Sequence, residues 1–332
     1  MQAPRFWFKP PQHFDLRATL LAPLGALYAF ATARRVGTAA VMRAKCPIIC
    51  IGNINAGGTG KTPTTIALAQ HLIYQGYEVH IVSRGYGGQI KGPIEVNPTQ
   101  HRARQVGDEP LLLAAFARTW VADDRGAGIK KAIAEGAQVI LMDDGFQDPK
   151  VHKDMSLIVV DAAKGFGNGR CLPAGPLREP VEAGMRRTDA VISIGGTEAQ
   201  DQFSTLWGSH ITQPHLRAEL MPLETGMDWK TGQFIAFAGI GHPEKFFNTL
   251  RSLGATLLRT EALDDHQPLT PALVKRLKAE AAQTGAQLVT TEKDAARLPS
   301  EFRSDVMALP VRLEFSDQDA LEQLIAPILP SR

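Results

Sequence analysis

Apolar runs recur along most of the chain, and segments with helical spacing separate them. Nearly continuous apolar patterns predict strands at 46–52, 77–83, 119–123, 137–144, 155–162 and 189–196. The intervening segments, such as TPTTIALAQHLIYQG at 62–76, carry apolar residues three and four positions apart, as amphipathic helices do. Continuous apolar strands that alternate with helices are typical of a parallel sheet covered on both faces. The pattern predicts a doubly wound α/β domain.

A second series of strand patterns follows after an irregular stretch. The stretch at 197–233 contains Pro214, Pro222 and Gly226 and loses the earlier alternation. Apolar runs then return at 232–241, 255–259, 286–291 and 304–311. We therefore expect an N-terminal segment at 1–45, a first α/β domain at 46–215, and a smaller C-terminal α/β domain at 216–332 that contributes to a cleft between the two.

The N-terminal segment differs in character from the rest of the chain. An uncharged, largely apolar run at 18–33 lies between basic residues, namely Arg5, Lys9, Arg17, Arg34 and Arg35. The run is shorter than the about 20 apolar residues that a spanning helix needs, and no clear cleavage site of a signal peptide follows it. Two interpretations remain open from the residues alone. The segment is either a helix lying in a membrane interface or a helix packed on the protein's own core.

Composition and net charge indicate a globular protein and give no support for nucleic acid as a partner. The 332 residues carry a net charge of +2, and 44% of them are hydrophobic, which is ordinary for a globular protein. A charge this close to zero gives no global electrostatic reason to expect nucleic acid as a partner. The three cysteines show no metal-binding spacing and fit a reducing compartment.

The stretch GNINAGGTGKTP at 52–63 joins a predicted strand to a predicted helix. In that context, glycine backbone N–H groups and the helix N-terminus together bind phosphate. Lys61 is expected to reach the outer phosphates, and the hydroxyl of Thr62 to hold Mg²⁺. The predicted nucleotide-binding residues are Asn55, Ala56, Gly57, Gly58, Thr59, Gly60, Lys61 and Thr62. The alternative is a glycine-rich turn that happens to precede Lys-Thr.

Asn55 occupies the position at which such a phosphate loop usually begins with glycine. Asn adopts positive φ more readily than most other residues that carry a Cβ. The sequence therefore allows the usual turn with Asn55 in place of glycine.

Two carboxylates end the apolar run AQVILMDD at 137–144. Asp143 and Asp144 follow directly after residues that predict a buried strand. A carboxylate at the end of a neighbouring strand holds Mg²⁺ in many phosphate-loop proteins. The alternative is a polar strand terminus without a metal.

A phosphate loop alone does not separate kinases, guanine-nucleotide switches and ATP-driven motors. The Asn-Lys-x-Asp motif of the switches has only a loose counterpart in TEKDA at 291–295. Kinase chemistry requires a base or orienting acid for the acceptor and cations for the developing charge. Three motifs offer such groups, each with a simpler explanation: Asp108 and Glu109 in GDEP as helix-capping acids, Arg178 in GPLREP as a surface ion pair, and His266 in DDHQPLT as a solvated loop residue.

Taken together, these motifs resemble those of the tetraacyldisaccharide 4′-kinases, inner-membrane enzymes of lipid A biosynthesis in Gram-negative bacteria. The motifs that carry the resemblance occur in this order: GNINAGGTGKTP, SRGYGG (83–88), GDEP (107–110), DDGFQ (143–147), PAGPLREP (173–180), DDH (264–266) and TTEKDAARL (290–298). The resemblance implies a phosphate-loop kinase that uses ATP and Mg²⁺. Its acceptor would be the 4′-hydroxyl of a tetraacylated glucosamine disaccharide 1-phosphate, a precursor of lipid A.

The resemblance also implies roles for individual residues. Asp108 would be the catalytic base, assisted by His266 from the second domain, while Arg178 would meet phosphate or substrate. Lys61 and Thr62 would act as in other phosphate loops. The implied metal-site residues are Thr62, Asp143, Asp144 and Glu109. Two positions depart from the family, which often has histidine where this chain has Asp148 and Gln267.

An acylated acceptor lies in a membrane, whereas ATP is cytosolic. The resemblance therefore favours the interfacial interpretation of residues 1–45, at the cytoplasmic face of the inner membrane. The alternative functions are a phosphate-loop ATPase or ATP-dependent ligase without a lipid acceptor, and a nucleotide-binding membrane scaffold.

Overall fold

A computed structural model describes residues 3–264 and 267–331 of the chain. Strands and helices alternate through most of this range. The strands are β1 Ile48–Gly52, β2 Val79–Ser83, β3 Ile94–Glu95, β4 Arg118–Val121, β5 Val139–Asp143, β6 Met155–Asp161, β7 Ala190–Ile194, β8 His215–Pro222, β9 Gln233–Ala238, β10 Thr256–Ala262, β11 Gln287–Thr291, β12 Val306–Leu309 and β13 Val311–Phe315. The helices are α1 Leu16–Val36, α2 Lys61–Tyr74, α3 Ala103–Val106, α4 Asp108–Leu113, α5 Arg125–Ala134, α6 Val181–Met185, α7 Thr197–Trp207, α8 Pro243–Ser252, α9 Pro271–Thr284, α10 Glu292–Arg297 and α11 Gln318–Ile325, with short 3₁₀ helices at Arg5–Phe8, Gly208–His210, Ser300–Asp305 and Ala326–Ile328.

The larger sheet has nine strands in the order β13-β8-β7-β6-β1-β5-β2-β4-β3. Neighbours from β8 to β4 are parallel, whereas the edge strands β13 and β3 pair antiparallel. Strands β1, β2, β5, β6 and β7 are buried along their whole length, which explains why most of their residues are apolar. Helices α2 and α11 pack on one face, and α5, α6 and α7 pack on the other. The predicted doubly wound α/β fold is confirmed.

A smaller sheet, with helices on both faces, forms a second α/β assembly. Its four strands lie in the order β10-β9-β11-β12, and all neighbours are parallel. Helix α8 packs on one face through Phe246, Phe247 and Leu250, and α9 packs on the other through Val274 and Leu277. The second, smaller α/β assembly expected from the sequence is therefore present.

The two sheets divide the chain differently from the predicted boundary at residue 216. Strand β8 pairs with β7, and β13 pairs with β8, so the chain returns to the larger sheet after leaving the smaller one. We call the larger sheet with its helices the first unit, and residues 233–309 the second unit. Strand β8 is half exposed near the sheet edge. Its sequence therefore lacks the continuous apolar run that identified the other strands.

Helix α1 presents two different faces. Asp15 caps its N-terminus by accepting backbone hydrogen bonds. Ala18, Gly25 and Thr32, seven positions apart, are buried against the first unit. The opposite face carries exposed apolar side chains, namely Leu16, Leu20, Leu24, Leu27 and Phe30, which are 54–70% exposed. The helix is long and apolar enough to be a candidate membrane span, although its position near the N-terminus makes this weak evidence.

Candidate active site

The glycine-rich loop forms an open cradle at the end of β1. Gly57 and Gly60 have φ values of 107° and 99°, which favour glycine, and α2 begins directly after Gly60 without a side-chain cap. A Cβ at Gly57 or Gly58 would meet no atom within 4 Å, so this side of the loop faces open space. The amide of Asn53 donates to the carbonyl of Gly57 and to the hydroxyl of Thr59, both at 3.2 Å. The side chain of Asn53 therefore holds the loop on its buried side, and the opposite side of the loop, at Gly57 and Gly58, is accessible.

Asn55 does not form the left-handed turn that the sequence allowed. Among the described residues, Asp144 is the only non-glycine residue with positive φ. Asn55 instead pairs with Leu177 in an isolated antiparallel bridge, and its Nδ2 donates to the carbonyl of Gly165 at 3.0 Å. The backbone N–H of Ala56 donates to Pro176 at 2.7 Å. The side-chain amide of Asn55 thus connects the loop to a segment that is distant in sequence, a contact that glycine could not make.

That segment, residues 165–178, also contacts helix α1, and we call it the bridging segment. Arg170 Nη1 donates to the carbonyl of Ala18 at 3.3 Å. Gly25 lies so close to the segment that a Cβ there would approach the carbonyl oxygen of Cys171 to 2.9 Å. The bridging segment therefore touches α1 on one side and the phosphate loop on the other, and it ends at Arg178.

Asp143 is the last residue of β5 and is buried beside β1. The hydroxyl of Ser83 donates to its Oδ2 at 3.2 Å, while its buried Oδ1 has no hydrogen-bond partner among the described residues. Burial raises the pKa of Asp143 to about 6, and the nearby carboxylates of Asp144 and Glu109 add to this effect, against the opposing charge of Lys61. A buried carboxylate oxygen without a partner is a fitting ligand for a cation.

Asp144 makes different contacts. Its Oδ1 lies 3.6 Å from Lys61 Nζ and 3.3 Å from Arg178 Nη1. Burial acts to raise the pKa of Asp144, but the charges of Lys61, Arg178 and Arg125 together lower it below the usual value. Lys61 and Arg178 therefore converge on one carboxylate. This places side by side two cations of the kind that bind phosphate.

Arg125 supports the unusual backbone of Asp144, which has a φ of 50°. Its Nη2 donates to the carbonyl of Asp144 at 2.7 Å, and its Nη1 pairs with Asp148 at 3.2 Å. In this chain Asp148 therefore holds an arginine. Sequence analysis gave Arg125 no role, because its partners Asp144 and Asp148 lie about 20 residues away in the chain.

Asp108 and Glu109 open helix α4 after Gly107, whose φ is 94°. Two cations of the second unit contact them: Arg297 Nη1 lies 3.4 Å from Asp108 Oδ2, and Lys293 Nζ lies 2.8 Å from Glu109 Oε1. Sequence analysis quoted the motif that contains both cations but gave them no role. His266 lies outside the described residues.

The described residues fit a magnesium ion better than a protein-caged metal. They contain no group of three or more His, Cys, Asp or Glu residues that would hold a metal alone. Mg²⁺ usually takes only one or two carboxylates and completes its shell with water and substrate phosphates. The unpartnered Oδ1 of Asp143, close to the loop lysine, matches that mode of binding.

Comparisons with known proteins give matches over nearly the whole chain. The family model described as tetraacyldisaccharide-1-P 4′-kinase matches residues 17–329. A tetraacyldisaccharide 4′-kinase of Dinoroseobacter shibae is 57% identical over 100% of this chain and 98% of its own length. One from Rhodospirillum centenum is 45% identical over 99% of this chain and 97% of its own length. The crystal structure of LpxK from Aquifex aeolicus, in complex with ATP, is 27% identical with a TM-score of 0.76, covering 95% of this chain and 100% of that one.

Proposed function

Because this chain belongs to the tetraacyldisaccharide 4′-kinase family, we propose that the cleft around residues 57–62 and Asp143 is its catalytic centre. The chain is an ATP-dependent kinase that phosphorylates the 4′-hydroxyl of a tetraacyl glucosamine disaccharide 1-phosphate, giving lipid IVA. The observation that carries the site assignment is the convergence of Lys61 and Arg178 on Asp144, beside the buried Asp143.

The phosphate loop is proposed to bind the nucleotide. Backbone N–H groups at residues 57–60 and the uncapped start of α2 favour the β- and γ-phosphates. Lys61 and Arg178 stabilise the charge that develops on the transferred phosphoryl group. Because both cations already rest against Asp144, they are held near the reaction centre before the substrate arrives.

Asp143 and Thr62 are the proposed magnesium ligands, with Asp144 and Glu109 close to them. Asp143 and Thr62 would hold Mg²⁺, which would supply positive charge against the phosphates of ATP. Asp143 has a free buried oxygen, whereas Asp144 is engaged by two cations and Glu109 by Lys293. We therefore assign direct coordination to Asp143 first.

Asp108 is the proposed base. Its carboxylate accepts the proton of the 4′-hydroxyl as that oxygen forms its bond to the γ-phosphorus, and the bond to the ADP oxygen breaks with its electron pair. The family resemblance adds His266 as its assistant. Asp108 lies at the junction of the two units, 3.4 Å from Nη1 of Arg297.

The proposal is tested by mixing the enzyme with ATP, Mg²⁺ and the tetraacyldisaccharide 1-phosphate in detergent. We expect one bisphosphorylated lipid for each ADP formed, as resolved by mass spectrometry. ADP release that does not depend on the acceptor would instead support a phosphate-loop ATPase or ligase. The same preparation with Lys61→Met is the control for contaminating kinases.

We propose further that α1 lies in the cytoplasmic face of the inner membrane. Its docked face is buried against the first unit, and its opposite face is apolar and exposed, as in a helix that rests in an interface. Arg34 and Arg35 lie in the last turn of α1. Lys9 and Arg17, near the start of the helix, both pair with Asp15. The C-terminal pair is therefore the stronger candidate for anionic head groups.

Replacing Leu20, Leu24 and Leu27 together with Asn is expected to weaken binding to anionic vesicles at least about tenfold, because three leucine side chains lose a favourable transfer from water. The side chains are exposed, so thermal unfolding should change little. Vesicle sedimentation measures the effect. Tyr74→Asn is the matched control, since Tyr74 is 92% exposed on α2, which packs on the opposite face of the sheet. Unchanged vesicle binding by the triple variant would contradict the proposal.

A further inference from the structure

Arg297 is a buried cation at the end of α10. Its side chain is only 6% exposed, and it pairs with Asp294, whose side chain is fully buried. Asp294 in turn accepts hydrogen bonds from the backbone N–H of Gly239 at 3.0 Å and from the hydroxyl of Thr291 at 2.7 Å. A buried charge of this kind persists only where several partners fix it.

The guanidinium of Arg297 joins three segments of the chain. Its Nη2 donates to the carbonyl of Gly239, just after β9, at 3.2 Å. Its Nη1 donates to the carbonyl of Gln267, in the loop between β10 and α9, at 3.2 Å, and lies 3.4 Å from Oδ2 of Asp108 in the first unit. The planar guanidinium has its donors in a fixed geometry, so these contacts constrain one another.

Helix α10 contacts the start of α4 at a second point. Lys293 lies four residues before Arg297, so both side chains project from one face of the helix. Lys293 pairs with Glu109, the residue after Asp108. Two adjacent acids of the first unit thus meet two cations of one second-unit helix. If Arg297 served only to stabilise the second unit, its contacts with Asp294 and Gly239 would suffice. That role does not account for its contact with Asp108.

Resting on the proposed role of Asp108 as the base, we propose that Arg297 is a positioning residue that aligns Asp108 with Gly239 and Gln267 of the second unit. Arg297 sets the orientation of the carboxylate that receives the proton, and it fixes that orientation relative to the second unit. The site is then complete only when α10 lies against α4. Nucleotide binding, which depends on the phosphate loop, does not require this contact.

The test is a double-mutant cycle with Arg297→Gln, Asp108→Asn and the combined variant. We expect Arg297→Gln to lower kcat by about 10- to 100-fold, since small misplacements of a catalytic group have effects of that size. The Kd for ATP, from a fluorescent analogue, should change by less than about twofold. Arg297→Lys should lose less, because it keeps the charge but not the paired donors. The combined variant should be no slower than Asp108→Asn alone, since Arg297 acts through Asp108.

Arg303→Gln is the matched control, because Arg303 is an exposed arginine of the same unit whose Nε bonds only to the carbonyl of Leu298 among the described residues. It should keep the wild-type kcat. Multiplicative losses in the combined variant would overturn the proposal, as would equal losses in kcat and ATP affinity. If Arg297→Gln fails to fold, the same cycle with Arg297→Lys decides. A wild-type kcat in Asp108→Asn would overturn the base assignment as well, whereas multiplicative losses would overturn only the role of Arg297.

Discussion

Replacing Asp108 with Asn is expected to lower kcat by about 10²- to 10⁴-fold, the usual contribution of a positioned base. The amide keeps the size of the side chain but accepts no proton, while the phosphate loop is untouched. The Kd for ATP should therefore stay within about twofold of the wild-type value. Single-turnover transfer to the lipid acceptor measures the first quantity, and titration with a fluorescent ATP analogue measures the second.

Asp123→Asn is the matched control for this prediction. Asp123 is half exposed and pairs weakly with Arg84 at 3.8 Å, outside the site. Its removal should change neither quantity. A loss of ATP affinity as large as the loss of kcat in Asp108→Asn would show that Asp108 serves the metal or the fold instead of proton transfer.

Asp143→Asn is expected to have two opposite effects. It should lower kcat/KM for ATP in the presence of Mg²⁺ by about 10²- to 10³-fold, because a metal ligand is lost.

Asp143→Asn should also raise the free energy of unfolding of the ligand-free protein above pH 6. The pKa of Asp143 is raised from 3.8 to about 6 by burial. The carboxyl therefore stabilises the fold fully below pH 4, and that contribution is lost as the pH rises to about 6.

The lost contribution is at most about 3 kcal/mol, at 1.36 kcal/mol for each pKa unit. Thermal unfolding of ligand-free protein between pH 4 and pH 8 measures it, and the gain from Asp143→Asn should disappear at the acid end. Asp144→Asn is the matched comparison. The pKa of Asp144 is lowered, so its charged form stabilises the fold above pH 4, and its removal should destabilise the protein there. Equal shifts for the two variants would contradict the assignment.

The fold was largely predictable because its strands are buried on both faces. Such strands show short, nearly continuous apolar runs, as in Ile48–Gly52 and Met155–Asp161, and their short length distinguishes them from helices. The exception is instructive. Strand β8 lies near the sheet edge and is partly exposed, so the sequence did not indicate a strand there; the predicted boundary falls within β8, and the return of β13 to the first sheet was not predicted.

Candidate site residues could be named from the sequence where the chemistry is local. Lys61 and Thr62 follow their glycines directly, and Asp143 ends its strand, so spacing alone made them candidates. Arg125 and Arg297 were not found, because what they do depends on segments far away in the chain. Asn55 shows the same limit in another form. Its backbone propensity allowed a left-handed turn, whereas in the structure φ is not positive and the side chain bonds to the carbonyl of Gly165.

The bridging segment has a consequence for how the enzyme meets its substrate. One stretch of chain contacts α1, fastens the phosphate loop through Asn55 and Ala56, and ends at Arg178. In the proposed orientation, these contacts connect α1 directly to the phosphate loop. The height of the phosphate loop above the bilayer is then fixed by the protein itself. A lipid acceptor must rise to that height to react, so the enzyme would select among glycolipids by how far the acceptor hydroxyl extends from the membrane surface.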